Sequence, residues 1–112
     1  MIRKDARRVL KADGGRDTER SGAPGFALES AGLHAQRSWW ELSLWAFGQK
    51  NEQNCARTPY TCALLDGMPQ STKTTVGDIK FSLMNPGTVV RPHTGPSNQR
   101  LRVHLGLEVP SD

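Results

Sequence analysis

The chain has 112 residues, enough for one domain at most. Apolar residues make up 36% and mean hydropathy is −0.58, lean for a self-sufficient globule, and no stretch approaches the roughly 20 apolar residues of a membrane span. The net charge of +4 sits largely near the N-terminus, where no aromatic residues interleave with the basic ones as a nucleic-acid stacking surface would need.

In Met1 to Leu10 there is no apolar core of a secretion signal, so either the chain is cytosolic or its address and any membrane anchor lie on other sequence. Ile2, Ala6, Val9 and Leu10 share one face of a helix that Gly14-Gly15 would end. The basic residues around it, among them Arg3, Arg7 and Arg8, read as a solvated tail. Residues 13–33 read as loop. Residues 1–38 are therefore taken as a loose basic arm and residues 39–112 as the structured part.

"WWELSLWAF", Trp39 to Phe47, reads as a strand with aromatics on both faces, hence buried on both. Trp40, Leu42, Leu44 and Ala46 fall on one face; Trp39, Glu41, Ser43, Trp45 and Phe47 fall on the other. "GQKNEQN" follows as a polar loop. In "TPYTCALLDGMP", Thr58 suits a helix N-cap, Pro59 the first helical position and Gly67 the stop. "STKTTVGD" reads as loop. Ile79 to Met84 reads as a strand with Ile79, Phe81 and Leu83 inward and Lys80, Ser82 and Met84 outward. "NPGT" is a turn with Pro86 and Gly87 at the central positions. Thr88 to Pro92 is read as a third strand. Leu101 to Val109 alternates without a break, apolar at odd positions and Arg102, His104, Gly106 and Glu108 between, and is read as a fourth. The sum is a mainly β fold with short helices, about four antiparallel strands, whose edges stay exposed and only half-fill a sandwich or barrel.

Cys55 and Cys62 enclose six residues. A disulfide, half of a zinc site completed by His93 and His104, and two free thiols all remain open on composition. On a strand, Arg102 and His104 are neighbours on one face. The guanidinium matches a carboxylate, and the imidazole can donate to the same anion or bind a metal. Ser82 adds a hydroxyl from a facing strand, Arg100 lies beside the strand start, and His93 follows a strand. Chemically this is a place for a metal and an organic acid.

Three stretches occur in order: "NCARTPYTCALL" (Asn54–Leu65), "IKFSLMNPGT" (Ile79–Thr88) and "HTGPSNQRLRVHLGL" (His93–Leu107). Together they strongly resemble the aspartyl/asparaginyl β-hydroxylases, Fe(II)- and 2-oxoglutarate-dependent dioxygenases with a double-stranded β-helix (jelly-roll) fold. The resemblance spans about Trp39 to Pro110 and implies roles. His93 is implied as an iron ligand, with Gly95 where most such enzymes place a carboxylate. Ser82 and His104 are implied as 2-oxoglutarate contacts, and Arg102, with Arg100, as the clamp for the substrate side chain. Cys55 and Cys62 match a disulfide of the family. The implied reaction consumes O₂ and 2-oxoglutarate, releases succinate and CO₂, and hydroxylates the β-carbon of an Asp or Asn. Implied substrates are epidermal-growth-factor-like domains in the endoplasmic reticulum and secretory pathway, with no nucleic-acid partner.

The family continues past "HLGL" into strands that bring a second iron-binding histidine and an arginine for the far carboxylate of 2-oxoglutarate. His34 lies in a stretch that does not match, and Phe47 stands where the family tends to be polar. The expectation is thus a fragment or truncated form carrying the N-terminal half of the fold, weakly active or inactive alone. The alternative is a non-catalytic short isoform that acts as a protein-interaction module through its exposed strand edges.

Overall fold

The computed structural model describes residues 1–11, 27–28 and 39–111. His34 lies outside the described residues. Eight elements follow in chain order: α1 (Ile2–Lys11), β1 (Ala27–Leu28), β2 (Trp39–Ala46), β3 (Gln49–Lys50), α2 (Glu52–Arg57), α3 (Pro59–Asp66), α4 (Pro69–Thr72) and β4 (Asp78–Met84). They make a small mixed α/β fold with one antiparallel sheet.

β2 is the centre of that sheet. β4 takes one edge along its whole length, while β1 and β3 share the other edge at opposite ends. Four strands therefore make a sheet three strands wide. Trp40 faces Leu83 and Leu42 faces Phe81. The register then shifts: Ser43 faces Lys80, but Trp45 faces Ile79, leaving Leu44 as an extra residue.

This bulge corrects the expected alternation. Strict period two puts Trp45 with Trp39 on the outer face. The inserted Leu44 turns Trp45 back to the inner face, so Leu44 and Trp45 are both buried. They form the core with Cys55 and Cys62, against Leu65, Ile79 and Phe81. The strand is accordingly buried on one face only; Trp39, Glu41 and Ser43 remain half-exposed. The backbone at the bulge is met from the helical side. The Asn51 N–H donates to Leu44 O at 2.8 Å, and Asn54 Nδ2 donates to Ser43 O at 2.7 Å.

Phe47 and Gly48 join β2 to β3 with φ of +52° and +79°. Two positive φ values in a two-residue loop are the type I′ geometry, whose twist suits a hairpin. Gly48 takes it freely; Phe47 does so at a steric cost and stands 69% exposed.

The stretch read as a polar loop contains β3 and α2. Asn51 caps α2, its side chain accepting from the Asn54 N–H at 2.9 Å. α3 begins and ends where expected, at Thr58-Pro59 and Gly67, but Thr58 does not cap it. Thr58 Oγ1 donates backward to Asn54 O at 3.1 Å. The cap comes instead from α1: the buried Asp5 carboxylate accepts from the Thr61 N–H at 2.8 Å and its hydroxyl at 2.9 Å. α1 is thus docked, with Val9 and Ala6 buried beside Asp5, rather than a loose arm. Its basic residues also have work: Arg3 Nε donates to Leu107 O at 2.7 Å, and Arg7 Nε donates to Glu108 Oε1 at 2.7 Å.

Further corrections concern strands and loops. Ala27–Leu28, read as loop, pairs with β2. α4 lies inside a stretch expected to be irregular. "NPGT" does turn, with Gly87 at φ +81° and the Thr88 N–H donating to Asn85 O at 3.2 Å. Of Thr88 to Pro92, only Val90 makes a bridge. Leu101 to Val109 is not a strand at all: Leu101 is 96% and Val103 89% exposed. Alternation creates two faces, but a strand also needs a partner edge, and this segment pairs with none of the strands among the described residues. The described residues form a single sheet, so the second sheet of a jelly roll is not built among them.

Two outcomes follow for stability. Replacing Phe47 with Asn should stabilise the fold by about 1 kcal/mol, because Asn tolerates the left-handed region and no packing is lost; thermal unfolding should show a melting point a few degrees higher. Replacing Asn54 with Ala should cost about 1–3 kcal/mol by orphaning the Ser43 carbonyl; urea denaturation reads this directly.

Candidate functional site

The outer face of β2 and β4 is polar, and the β2–β4 register decides which groups meet there. Glu41 stands opposite Ser82, Ser43 opposite Lys80, and Trp39 opposite Met84. The Trp39 indole N–H donates to Ser82 Oγ at 2.6 Å. With a lone pair of that oxygen occupied, the hydroxyl proton is directed elsewhere and can donate to an incoming acceptor. Beside it, Lys80 pairs with Glu41 and lies 3.3 Å from Asp78. Arg102 Nη1 reaches Asp78 Oδ1 at 3.5 Å. The result is a strip of alternating charge, Arg102, Asp78, Lys80, Glu41, ending at Ser82 and Trp39.

Arg100 is half-buried at the start of β4; a Cβ at Gly77 would lie 3.9 Å from its Nη1. The two arginines thus arrive together at Gly77-Asp78. His93 is exposed in the irregular stretch after β4, with Nδ1 2.8 Å from Arg91 O. A carbonyl only accepts, so Nδ1 carries the proton. In the neutral ring this leaves Nε2 with its lone pair, the arrangement usual in a metal-binding imidazole. His104 is exposed in the irregular segment Leu101–Gly106. Among the described residues, no hydrogen bond or ion pair joins either histidine to the strip.

An iron centre needs several ligands, and no three His, Cys, Asp or Glu side chains cluster among the described residues. His93 supplies one donor at most. These residues do not by themselves make such a centre.

Cys55 and Cys62 form a disulfide between α2 and α3. Both are buried against Leu44 and Trp45. An open concavity of about 240 Å³ lies over this bond, rimmed by Lys50, Glu52 and Asp66. Lys50 sits over the Trp45 ring and pairs with Asp66 at 3.1 Å. That concavity is on the helical side and holds none of Ser82, His93, Arg100, Arg102 or His104, so we place the candidate site on the polar strip.

Trp39, Glu41, Asp78 and Lys80 are not among the site residues expected from sequence. The signal was present in two separate alternations, since Lys80 and Ser82 share one outward face and Trp39 and Glu41 another. What was missing was the register that brings the two together.

The chain matches the family model described as aspartyl/asparaginyl beta-hydroxylase over residues 1–112. It belongs to that family. Human aspartyl/asparaginyl beta-hydroxylase is 46% identical over 87 residues, covering 78% of this chain and 12% of the relative. A rat aspartate beta-hydroxylase domain-containing protein 2 is 35% identical, over 65% of this chain and 22% of the relative. An ornithine lipid ester-linked acyl 2-hydroxylase of Rhizobium tropici is 40% identical, over 64% of this chain and 24% of the relative. The chain thus spans about an eighth of the human protein and about a quarter of the bacterial one. Membership places it in a hydroxylase family. No helix among the described residues is long and apolar enough to cross a membrane.

The strip itself makes one prediction. Replacing Lys80 with Met leaves the Glu41 and Asp78 carboxylates without the cation between them. The cost should be about 1–2 kcal/mol at low salt, intermediate between exposed and buried pairs. Added salt should recover part of it, as denaturation midpoints at two ionic strengths would show.

Proposed function

We propose that this chain serves the β-hydroxylation of aspartyl or asparaginyl side chains in a protein substrate, with Fe(II), 2-oxoglutarate and O₂ as in the family it resembles. The observation that carries the reading is the family match over residues 1–112, together with 46% identity over 87 residues to a β-hydroxylase. Higher identity to that relative than to the lipid hydroxylase favours a peptide over an acyl chain as substrate.

In this reading the polar strip is one wall of the pocket, within a double-stranded β-helix. Ser82, its hydroxyl oriented by Trp39, donates to a carboxylate of 2-oxoglutarate, and His104 donates to the same co-substrate. Arg102 leaves its stretched contact with Asp78 to hold the substrate carboxylate or amide, with Arg100 beside it. His93 offers Nε2 as one iron ligand; the other ligands lie outside the described residues. When bound, the iron supplies the activation of O₂. What this chain contributes is position and charge. Protein substrates of the epidermal-growth-factor-like type, in the secretory pathway, fit a chain whose core contains a disulfide, since such bonds persist in oxidising compartments.

The test is oxygen transfer by the native protein, captured with an antibody to residues 53–66 and supplied with Fe(II), 2-oxoglutarate, O₂ and an epidermal-growth-factor-like domain. The substrate should gain one oxygen on an Asp or Asn, with one succinate released per oxygen, and a His93→Ala protein should do neither. Active protein that oxidises an acyl lipid but no peptide, or native protein that transfers no oxygen, contradicts the proposal.

A further inference from the structure

Among the described residues, Phe47 alone takes a positive φ, +52°, without being glycine, and it stands 69% exposed. Both features work against stability. The left-handed region crowds Cβ against the backbone, and asparagine, aspartate or glycine is the usual residue at this turn position. An exposed ring leaves apolar surface in water. Backbone outliers of this kind gather at functional sites.

The turn itself asks nothing of the ring. The Phe47 N–H donates to Gly77 O at 2.9 Å, and a Cβ on Gly48 would lie 3.4 Å from Thr74 O. Backbone of the loop before β4 thus fixes both turn residues, and any side chain that tolerates the φ would satisfy it at position 47.

Position accounts for what the turn does not. Ala46 faces Asp78 across β2 and β4, and Phe47 is bonded to Gly77, so the ring is carried at one end of the polar strip. There the two arginines arrive, Arg100 beside Gly77 and Arg102 on Asp78 Oδ1 at 3.5 Å. Asp78 occupies the place with the group that guanidinium forks receive, a carboxylate. Val76, next to Gly77 in the chain, adds a second exposed apolar side chain at this end.

Strand spacing puts the backbone of Phe47 about 6 Å from that of Asp78. In an extended peptide, residues two apart project to the same side, about 7 Å from each other. A peptide whose Asp or Asn is held by the arginines therefore brings the side chain two residues away to the Phe47 ring. An apolar side chain there removes both surfaces from water, a gain available only with substrate bound.

We propose that Phe47 is a specificity residue, packing on an apolar side chain two residues from the Asp or Asn that is hydroxylated. The inference rests on the hydroxylase reading and narrows its substrate class to peptides with an apolar residue at that spacing.

Peptide binding tests it, read by fluorescence anisotropy on the native protein and its Phe47 variants with Fe(II) and 2-oxoglutarate present and O₂ excluded. The probes are two labelled peptides, one with Leu two residues either side of the Asp, the other with Ser at both places. The Leu peptide should bind about tenfold more tightly. Phe47→Asn should cut that preference to about twofold while the melting point rises, and Phe47→Tyr should keep it. A merely structural residue would move the melting point and leave the preference intact. Equal binding of the two peptides, binding of neither, or a preference that survives Phe47→Asn would overturn the proposal. A preference lost with Phe47→Asn supports it even where admitted O₂ adds no oxygen to the bound peptide, a result that contradicts the hydroxylase reading alone.

Discussion

The extra residue at Leu44 determines which side chains of β2 meet the core. Without it, Trp45 would point outward with Trp39 and the inner face would lose its largest anchor near the helices. With it, Leu44 and Trp45 both pack on the Cys55–Cys62 bond. Such a kink exposes backbone, and α2 covers it: Asn51 and Asn54 take the two consecutive carbonyls. Placing α2 there sets α3, and α3 in turn receives Asp5 from α1. One irregularity in a strand thereby orders three helices on one side of the sheet.

The same irregularity divides the molecule functionally. The core cluster packs on the helical side, and the other face of β2 and β4 carries Trp39, Glu41, Lys80, Ser82 and Met84. Those polar groups restrain one another through an indole–hydroxyl bond and a lysine between two carboxylates. A wall that is polar, mutually restrained and backed by a rigid sheet suits the positioning of a small carboxylate ligand. α1 reaches past the core to Leu107 and Glu108, tying the segment that bears Arg102 and His104 to the helical side.

Much of this was legible from residues. α1, β2, β4, the start and stop of α3 and the Pro86-Gly87 turn follow from period, caps and turn chemistry. The bulge was not, because period two carries no mark of an inserted residue when Leu44 and Trp45 are both apolar. The cap of α3 was not, because Asp5 lies 56 residues away from Thr61 in sequence. Leu101–Val109 misled for the opposite reason: its alternation is complete, yet pattern records what a strand could bury and says nothing of a partner edge. Within the candidate site, Ser82 and Arg102 were visible as residues with suitable chemistry. Their neighbours Glu41, Asp78 and Lys80 became visible only through register.

The proposed function puts the carboxylate of 2-oxoglutarate against the outer face of β2 and β4. Titrating 2-oxoglutarate into isotopically labelled protein and following amide and indole resonances tests it most directly. Shifts are expected at Ser82, Lys80 and the Trp39 indole N–H, spreading to Arg102, with Cys55, Cys62 and Trp45 unmoved. Shifts confined to the disulfide side, or none at the strip, would contradict it.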